Sequence, residues 1–244
     1  MEKIAPGVWR AGTRYVNWYV VDGGADGLTV IDAGFPRYAE HLDASLQKIG
    51  KARKDVRAVV LTHGHIDHIG MAATLATSGA TVHLHPADAT LAAKPKTNEP
   101  ERTLPYLLFP ATIAFVAHAI RSGATKPDAM PASVPLVDGG TADVPGRPLV
   151  RHVPGHTDGS CVLEFTEHGV TFVGDLLCTI EPRLGRGDDP QLPSRGSNKN
   201  SNVAMQSLDK LVGIETTVVL PGHGNPWRDG IEAAVETARR IGCR

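Results

Sequence analysis

The 244 residues carry 25 Lys and Arg against 26 Asp and Glu, a formal net charge of −1, and 41% of them are hydrophobic. That balance excludes a global basic field for nucleic acid or an anionic membrane, while leaving ample apolar material for a core. Three cysteines without CxxC spacing (Cys161, Cys178, Cys243) exclude a disulfide framework, and a reducing cytoplasm is the expected compartment. The opening MEKIAPGVWRAG lacks the apolar core of a signal peptide, and no run approaches the roughly 18 apolar residues of a membrane span.

In chain order, VNWYVV (16–21) and LTVID (28–32) read as the strands of a hairpin around the Gly-rich turn DGGADG (22–27). Tyr38 to Ile49 carries apolar residues near helical spacing, with Gly50 as its stop. AVVLT (58–62) reads as a buried strand running directly into HGHIDH, followed by a short helix, MAATLATSG (71–79), and a strand, TVHLH (81–85). Residues 94–134 change character: prolines at 95, 100, 105, 110, 127 and 131 bracket the apolar stretch FPATIAFVAHAIRSG (109–123). This segment is expected to be a helical hairpin or lid inserted in one domain spanning 1–244. Strands resume at PLVD (135–138), PLVRHV (148–153), SCVLEF (160–165) and VTFVGD (170–175). Past a loop at 179–200 come the helix NVAMQSLDKLVG (202–213), the strand TTVVL (216–220) and the helix IEAAVETARRIG (231–242). Two strand-rich halves with accompanying helices predict two stacked sheets with helices outside.

The chemistry gathers where strands end. AVVLT leads into His63, His65, Asp67 and His68; PLVRHV into the PGH of His156; VTFVG into Asp175; and TTVVL into the PGH of His223. A helix would scatter the side chains of HGHIDH around its circumference, and a strand would send His68 to the opposite face from His63, His65 and Asp67. A glycine-bearing loop that is neither can wrap them round one centre. Imidazole nitrogen and carboxylate oxygen suit zinc without any thiolate. His41, His83, His85, His118, His152 and His168 lack convergent partners in the sequence and are read as ordinary satisfied or exposed histidines.

HGHIDH followed by His156, Asp175 and His223 resembles the metallo-β-lactamase superfamily, over nearly the whole chain. The resemblance implies an α/β fold, an αβ/βα sandwich of two mixed β-sheets with helices on the outer faces. It implies that His63, His65 and His156 hold one metal, that Asp67, His68 and His223 hold a second, and that Asp175 bridges them. Asp32, at the end of LTVID, resembles the acid that orients a ligand loop in this family. The expected cofactor is two Zn2+, with one Fe2+, or Mn2+ and mixed metals, as alternatives.

The expected reaction is hydrolysis of an ester, thioester or lactone by a metal-bridging hydroxide, with Asp67 carrying a proton to the leaving group. No GxSxG elbow offers a serine alternative. Departures from family patterns narrow the substrate. Asp175 stands where β-lactamases of this family carry Cys or Ser, and His65 stands against the flavodiiron pattern. Only 21 residues follow His223, so the helical domain of glyoxalase II is not expected, and Cys178 replaces the tyrosine typical of acyl-homoserine lactonases. The loop 179–200 is expected to overhang the site, and its Arg183, Arg186, Arg195 and Lys199 offer cations for a substrate carboxylate if they are not simply solvated. The apolar stretch 109–123 either faces a hydrophobic portion of the substrate or packs on the rim to cover core, and the expected small-molecule substrate is an uncharged or mildly anionic ester, thioester or lactone.

Two rival enzymes share parts of this pattern. A persulfide dioxygenase-like enzyme would hold one iron on His63, His156 and Asp175. A metal-dependent nuclease would need clustered Lys and Arg that the near-neutral charge does not provide, so no nucleic-acid or membrane partner is expected.

Overall fold

Alternation of side chains along each strand sorts the apolar residues of this protein into three separate cores. The computed structural model describes residues 1–95, 100, 101 and 104–243. Seven strands form the first sheet in sequential order: β1 (Glu2–Ala5), β2 (Val8–Gly12), β3 (Asn17–Asp22), β4 (Leu28–Ile31), β5 (Val56–Val60), β6 (Thr81–Leu84) and β7 (Ser133–Pro135). Four form the second: β8 (Leu149–His152), β9 (Cys161–Phe165), β10 (Val170–Gly174) and β11 (Val218–Pro221), ordered β11-β10-β9-β8. Both sheets are mixed. The first is antiparallel through β4 and parallel from β4 to β7, and the second is antiparallel except for the parallel pair β10–β11.

Successive strand residues point to opposite faces. Tyr19, Val21, Ile31, Ala58 and Val60 of the first sheet therefore meet Leu163, Phe165, Phe172 and Leu220 of the second in a core between the sheets. Their neighbours Trp18, Val20, Val30 and Val59 face the other way, onto Leu42 and Leu46 of helix α1 (Leu42–Gln47) and Leu75 of α3 (Ala72–Thr77). On the far side, Val162, Val173 and Val219 pack under α6 (Ser201–Ser207) and α7 (Gly230–Ile241) through Ala204, Ala234, Val235 and Ala238. The expected sandwich, with helices outside two mixed sheets, is the fold observed.

Several local expectations are corrected. MEKIAPGVWRAG, to which the sequence reading assigned no element, is a hairpin, β1–β2, closed by a turn at Pro6 and Gly7 with Gly7 at φ 72°. The segment 38–49 is a 3-10 turn (Pro36–His41) followed by α1. PLVD is not a strand: β7 lies earlier, at Ser133–Pro135, where it pairs with β6. TTVVL begins its strand only at Val218, because the hydroxyls of Thr216 and Thr217 turn back to the carbonyl of Gly169. Of the segment 94–134, residues 96–99 and 102–103 lie outside the described residues. The remainder holds one α-helix, α5 (Pro110–Arg121), rather than the hairpin that was one of the two expectations, a helical hairpin or a lid. Among the described residues no helix is long and apolar enough to cross a membrane.

Candidate metal centre

The C-terminal ends of β4, β5, β8, β10 and β11 all open onto one edge of the sandwich, and each delivers a polar side chain there. Residues 63–65 do form a loop, but Ile66–Ile69 closes into a single helical turn, α2, which corrects the expectation of no helix in the motif. That turn lets Asp67 and His68 point into the cluster together, the first 13% and the second 0% exposed.

The seven expected ligands converge. His65 Nδ1 lies 3.0 Å from His63 Nε2 and 2.9 Å from His156 Nε2. Asp67 Oδ2 lies 3.5 Å from His223 Nε2 and 3.7 Å from His68 Nε2. Between the two groups, Asp175 Oδ2 is 3.0 Å from His223 Nε2, 3.5 Å from His68 Nε2, 3.5 Å from His156 Nε2 and 3.9 Å from His63 Nε2. A tetrahedral ion with bonds of about 2.05 Å holds its ligand atoms roughly 3.3 Å apart, so these spacings fit two cation sites sharing one carboxylate. His68 Nε2 and Asp175 Oδ1 are buried without a hydrogen-bond partner among the described residues, which is expensive for polar atoms unless a cation engages them.

The opposite ring nitrogens fix which lone pair faces inward. His68 Nδ1 donates to Asp32 Oδ2 at 2.9 Å, His156 Nδ1 donates to Asn198 Oδ1 at 3.1 Å, and His223 Nδ1 donates to the carbonyl of Tyr15. His63 Nδ1 meets Thr62 Oγ1 at 3.1 Å, and that hydroxyl in turn donates to Asp32. Asp32 also accepts the N–H of Thr62 at 2.8 Å while sitting at φ 56°, a left-handed conformation that Asp tolerates better than most residues. Asp32 thus contacts both the ring of His68 and the strand end that precedes His63.

Electrostatics divides the histidines. Burial, with the neighbouring His68, pushes His63 well below its ordinary range, and burial with His65 pushes His156 down to about 3. His68 and His223 are also buried, but Asp175 overrides that cost and raises both, helped by Asp32 and Asp67 at His68 and by Asp67 at His223. Burial likewise opposes ionisation of Asp175, and His223 and His68 outweigh it, holding the carboxyl well below its usual range.

Both PGH turns require their glycine. A Cβ on Gly222 would stand 2.2 Å from Asp175 Oδ1 and 2.6 Å from His68 Cε1. On Gly155, at φ 132°, it would stand 2.2 Å from the backbone nitrogen of Ala204.

Besides Thr62 and Asn198, three further supports escaped the sequence reading. Buried Asp88 accepts hydrogen bonds from Gly64 N (2.8 Å), Thr157 Oγ1 (2.6 Å) and Gly159 N (2.7 Å), tying the HGH loop to the loop of His156. Its only sequence signal is its place just after β6, another strand end. Asn17 Nδ2 and the Tyr19 hydroxyl hold the carbonyl of Pro221 at 3.0 and 2.6 Å, anchoring the turn of His223 to β3. The six histidines set aside stay outside the metal groups. His118 bonds the Tyr38 hydroxyl at 2.7 Å and stacks on Tyr15, and His85 stacks on His152 with ring centroids 4.0 Å apart.

Beside the ligands lies a cavity of about 170 Å³, bordered by Asp67, His156, Asp175 and His223, by Ile66 and Phe115, and by Pro182, Arg183 and Ser197 of the 179–200 loop. That loop overhangs the site as expected. The site is therefore open on one side, as hydrolytic metal centres require and structural ones do not.

This fold and ligand geometry define a metallo-hydrolase scaffold, and the sequence comparisons agree. The model of the metallo-β-lactamase superfamily matches residues 11–223, and the chain belongs to that superfamily. It is similar to the uncharacterized protein Rv2581c of Mycobacterium tuberculosis, with 34% identity over 194 residues covering 75% of this chain and 76% of the relative. The probable metallo-hydrolase YflN of Bacillus subtilis is 27% identical over 210 residues, covering 82% and 76%. Among solved structures, TTHA1623 in a di-iron-bound form superimposes with a TM-score of 0.62 at 28% identity, covering 94% of this chain and 97% of that one.

Proposed function

We propose that this protein is a hydrolase of small ester, thioester or lactone substrates that works with two divalent ions, zinc being the first candidate. The observation that carries the reading is the position of Asp175 Oδ2, within 3.9 Å of four histidine nitrogens drawn from both ligand groups. A cage for one ion has no use for that arrangement.

Bound divalent ions supply Lewis acidity toward an acyl carbonyl and acidify water toward neutral pH. The chain's own residues do the rest. The Nδ1 bonds of His63, His68, His156 and His223 keep each Nε2 lone pair turned inward. Asp67 presents Oδ2 to His68 and His223, while its Oδ1 makes no hydrogen bond among the described residues. Because Asp67 borders the cavity, that oxygen can take up the proton of the attacking water and pass it to the leaving group. Phe115 of α5 and Ile66 exclude water from the wall facing the substrate, the part expected of a lid. Residence in the cytoplasm as a single domain, with small-molecule partners only, belongs to the same reading and accords with the unpaired Cys161, Cys178 and Cys243.

The di-iron relative keeps iron in view as the native metal. A single-iron dioxygenase using His63, His156 and Asp175 would leave the convergence of Asp67, His68 and His223 without a purpose. Metal analysis of the purified protein, with an ester, thioester, lactone and β-lactam screen, tests the proposal. About two ions per chain and acyl hydrolysis are expected, whereas one iron with oxygen consumption overturns it. His65→Ala is expected to lose metal and activity together, and an active variant with full metal content refutes the ligand assignment.

A further inference from the structure

The 179–200 loop offers four cations, and the structure disposes of three. Arg195 is ion-paired with Glu101 and Lys199 with Asp158, and Arg186 is exposed and does not border the cavity. Arg183 is different. It is half-buried, it borders the cavity, and no carboxylate lies within ion-pairing distance of it among the described residues. The nearest acid in sequence, Glu181, is buried and fully engaged, accepting from Leu184 N (2.6 Å), Ser194 N (3.3 Å), Ser194 Oγ (2.9 Å) and Ser197 Oγ (3.3 Å).

Arg183 is also held in place. Its Nε donates to Ser197 Oγ at 3.0 Å, and its carbonyl accepts from Thr112 Oγ1 of α5 at 2.9 Å. Its two terminal nitrogens make no hydrogen bond among the described residues. A guanidinium kept half out of water with its fork unfilled is a standing cost, offset when a planar oxyanion arrives.

We propose that Arg183 is the receptor for a carboxylate on the substrate, so that the hydrolase acts on small acidic acyl compounds whose carboxylate lies a few atoms from the scissile carbonyl. This inference rests on the hydrolase reading and deepens it. The cavity of about 170 Å³ suits a compact substrate, and the apolar face of Phe115 and Ile66 suits the short hydrocarbon between its two functional ends.

The test compares p-nitrophenyl hydrogen glutarate with the neutral p-nitrophenyl pentanoate on the protein as purified. The wild type should favour the acidic ester. In Arg183→Gln the acid-to-neutral ratio of kcat/KM should fall roughly 10- to 100-fold, mainly through KM, with partial recovery in Arg183→Lys. Calorimetric titration with glutarate and with glutaramide gives a second readout independent of turnover. Glutarate affinity should drop in Arg183→Gln by a similar factor, while any carboxylate binding at the metals is common to both forms. Esters hydrolysed with a ratio and a glutarate affinity unchanged in Arg183→Gln overturn the receptor and leave the hydrolase standing. No ester hydrolysis by the wild type, but glutarate binding lost in Arg183→Gln, sinks the hydrolase reading and keeps the receptor.

Discussion

The carboxylate of Asp88 accepts the backbone N–H of Gly64 at 2.8 Å, and through the same group it holds Thr157 and Gly159. Gly64 lies between the candidate ligands His63 and His65, and Thr157 directly follows the candidate ligand His156. One buried acid thus sets the spacing of the first ligand group without touching it. Asp88→Ala strands two backbone donors and a hydroxyl, and unmet buried partners cost about 1–3 kcal/mol each. With some repair by water, a net loss of about 2–4 kcal/mol of stability is expected, together with weaker metal retention at His63, His65 and His156. Thermal melting and chelator-competition titration check both effects.

Asp32 acts on the second group through His68. In Asp32→Asn an amide N–H2 can replace the oxygen facing His68 Nδ1, which would drive that ring to the opposite tautomer. Nε2 would then carry the proton and turn a donor toward Asp175, 3.5 Å away. Loss of such an outer hydrogen bond typically weakens metal binding about 10- to 100-fold. Metal-binding isotherms should show one site weakened and the other nearly unchanged, since Asp32 reaches His63 only by way of Thr62.

Gly222→Ala places a methyl where Asp175 Oδ1 stands, 2.2 Å from its centre. The sheet beneath has no reason to fail, because Asn17 and Tyr19 hold the neighbouring carbonyl of Pro221 rather than the glycine's Cα. A folded protein that has lost most of its metal and activity is the expected product, judged by circular dichroism and metal content. Wild-type metal content in this variant would mean that Asp175 does not sit where the two groups meet.

The convergence of the candidate ligands was legible because they follow apolar strand runs and are of residue types with little other reason to cluster there. Most of what stayed hidden works through the main chain. Asp88, Asn17 and Tyr19 bind N–H and C=O groups of residues far away in sequence, and a backbone partner leaves no mark on residue identity. The β1–β2 hairpin was obscured for a related reason: Lys3 and Arg10 interrupt the apolar alternation, and the pairing Glu2↔Arg10 makes sense only once the strands are adjacent. The helical turn at Ile66–Ile69 is too short to show any periodicity. Four cations in the 179–200 loop look alike in sequence, and only the ion pairs of Arg195 and Lys199, with Arg183 rather than Arg186 bordering the cavity, single out Arg183.

Acid should empty the two metal groups in order. A histidine ligand must be neutral, so each ion competes with whatever protons the metal-free cage would hold. His156 is pushed down to about 3 and His63 well below its ordinary value, so near neutrality these rings offer free lone pairs. His68 and His223 are raised, so an ion there must expel protons that the fold itself favours. The stability of the metal-free protein carries the same signs. The raised pair contributes fully below the unfolded histidine value of about 6.5 and loses that contribution as pH climbs through the folded values. The lowered pair costs stability as pH falls below about 6.5, where the unfolded chain takes up protons that the fold refuses. Dialysis from about pH 8 to about pH 5 should therefore remove the ion held by Asp67, His68 and His223 first, leaving near one ion per chain over part of that range. Loss of both ions in one step across the whole range would show that protons do not distinguish the two groups.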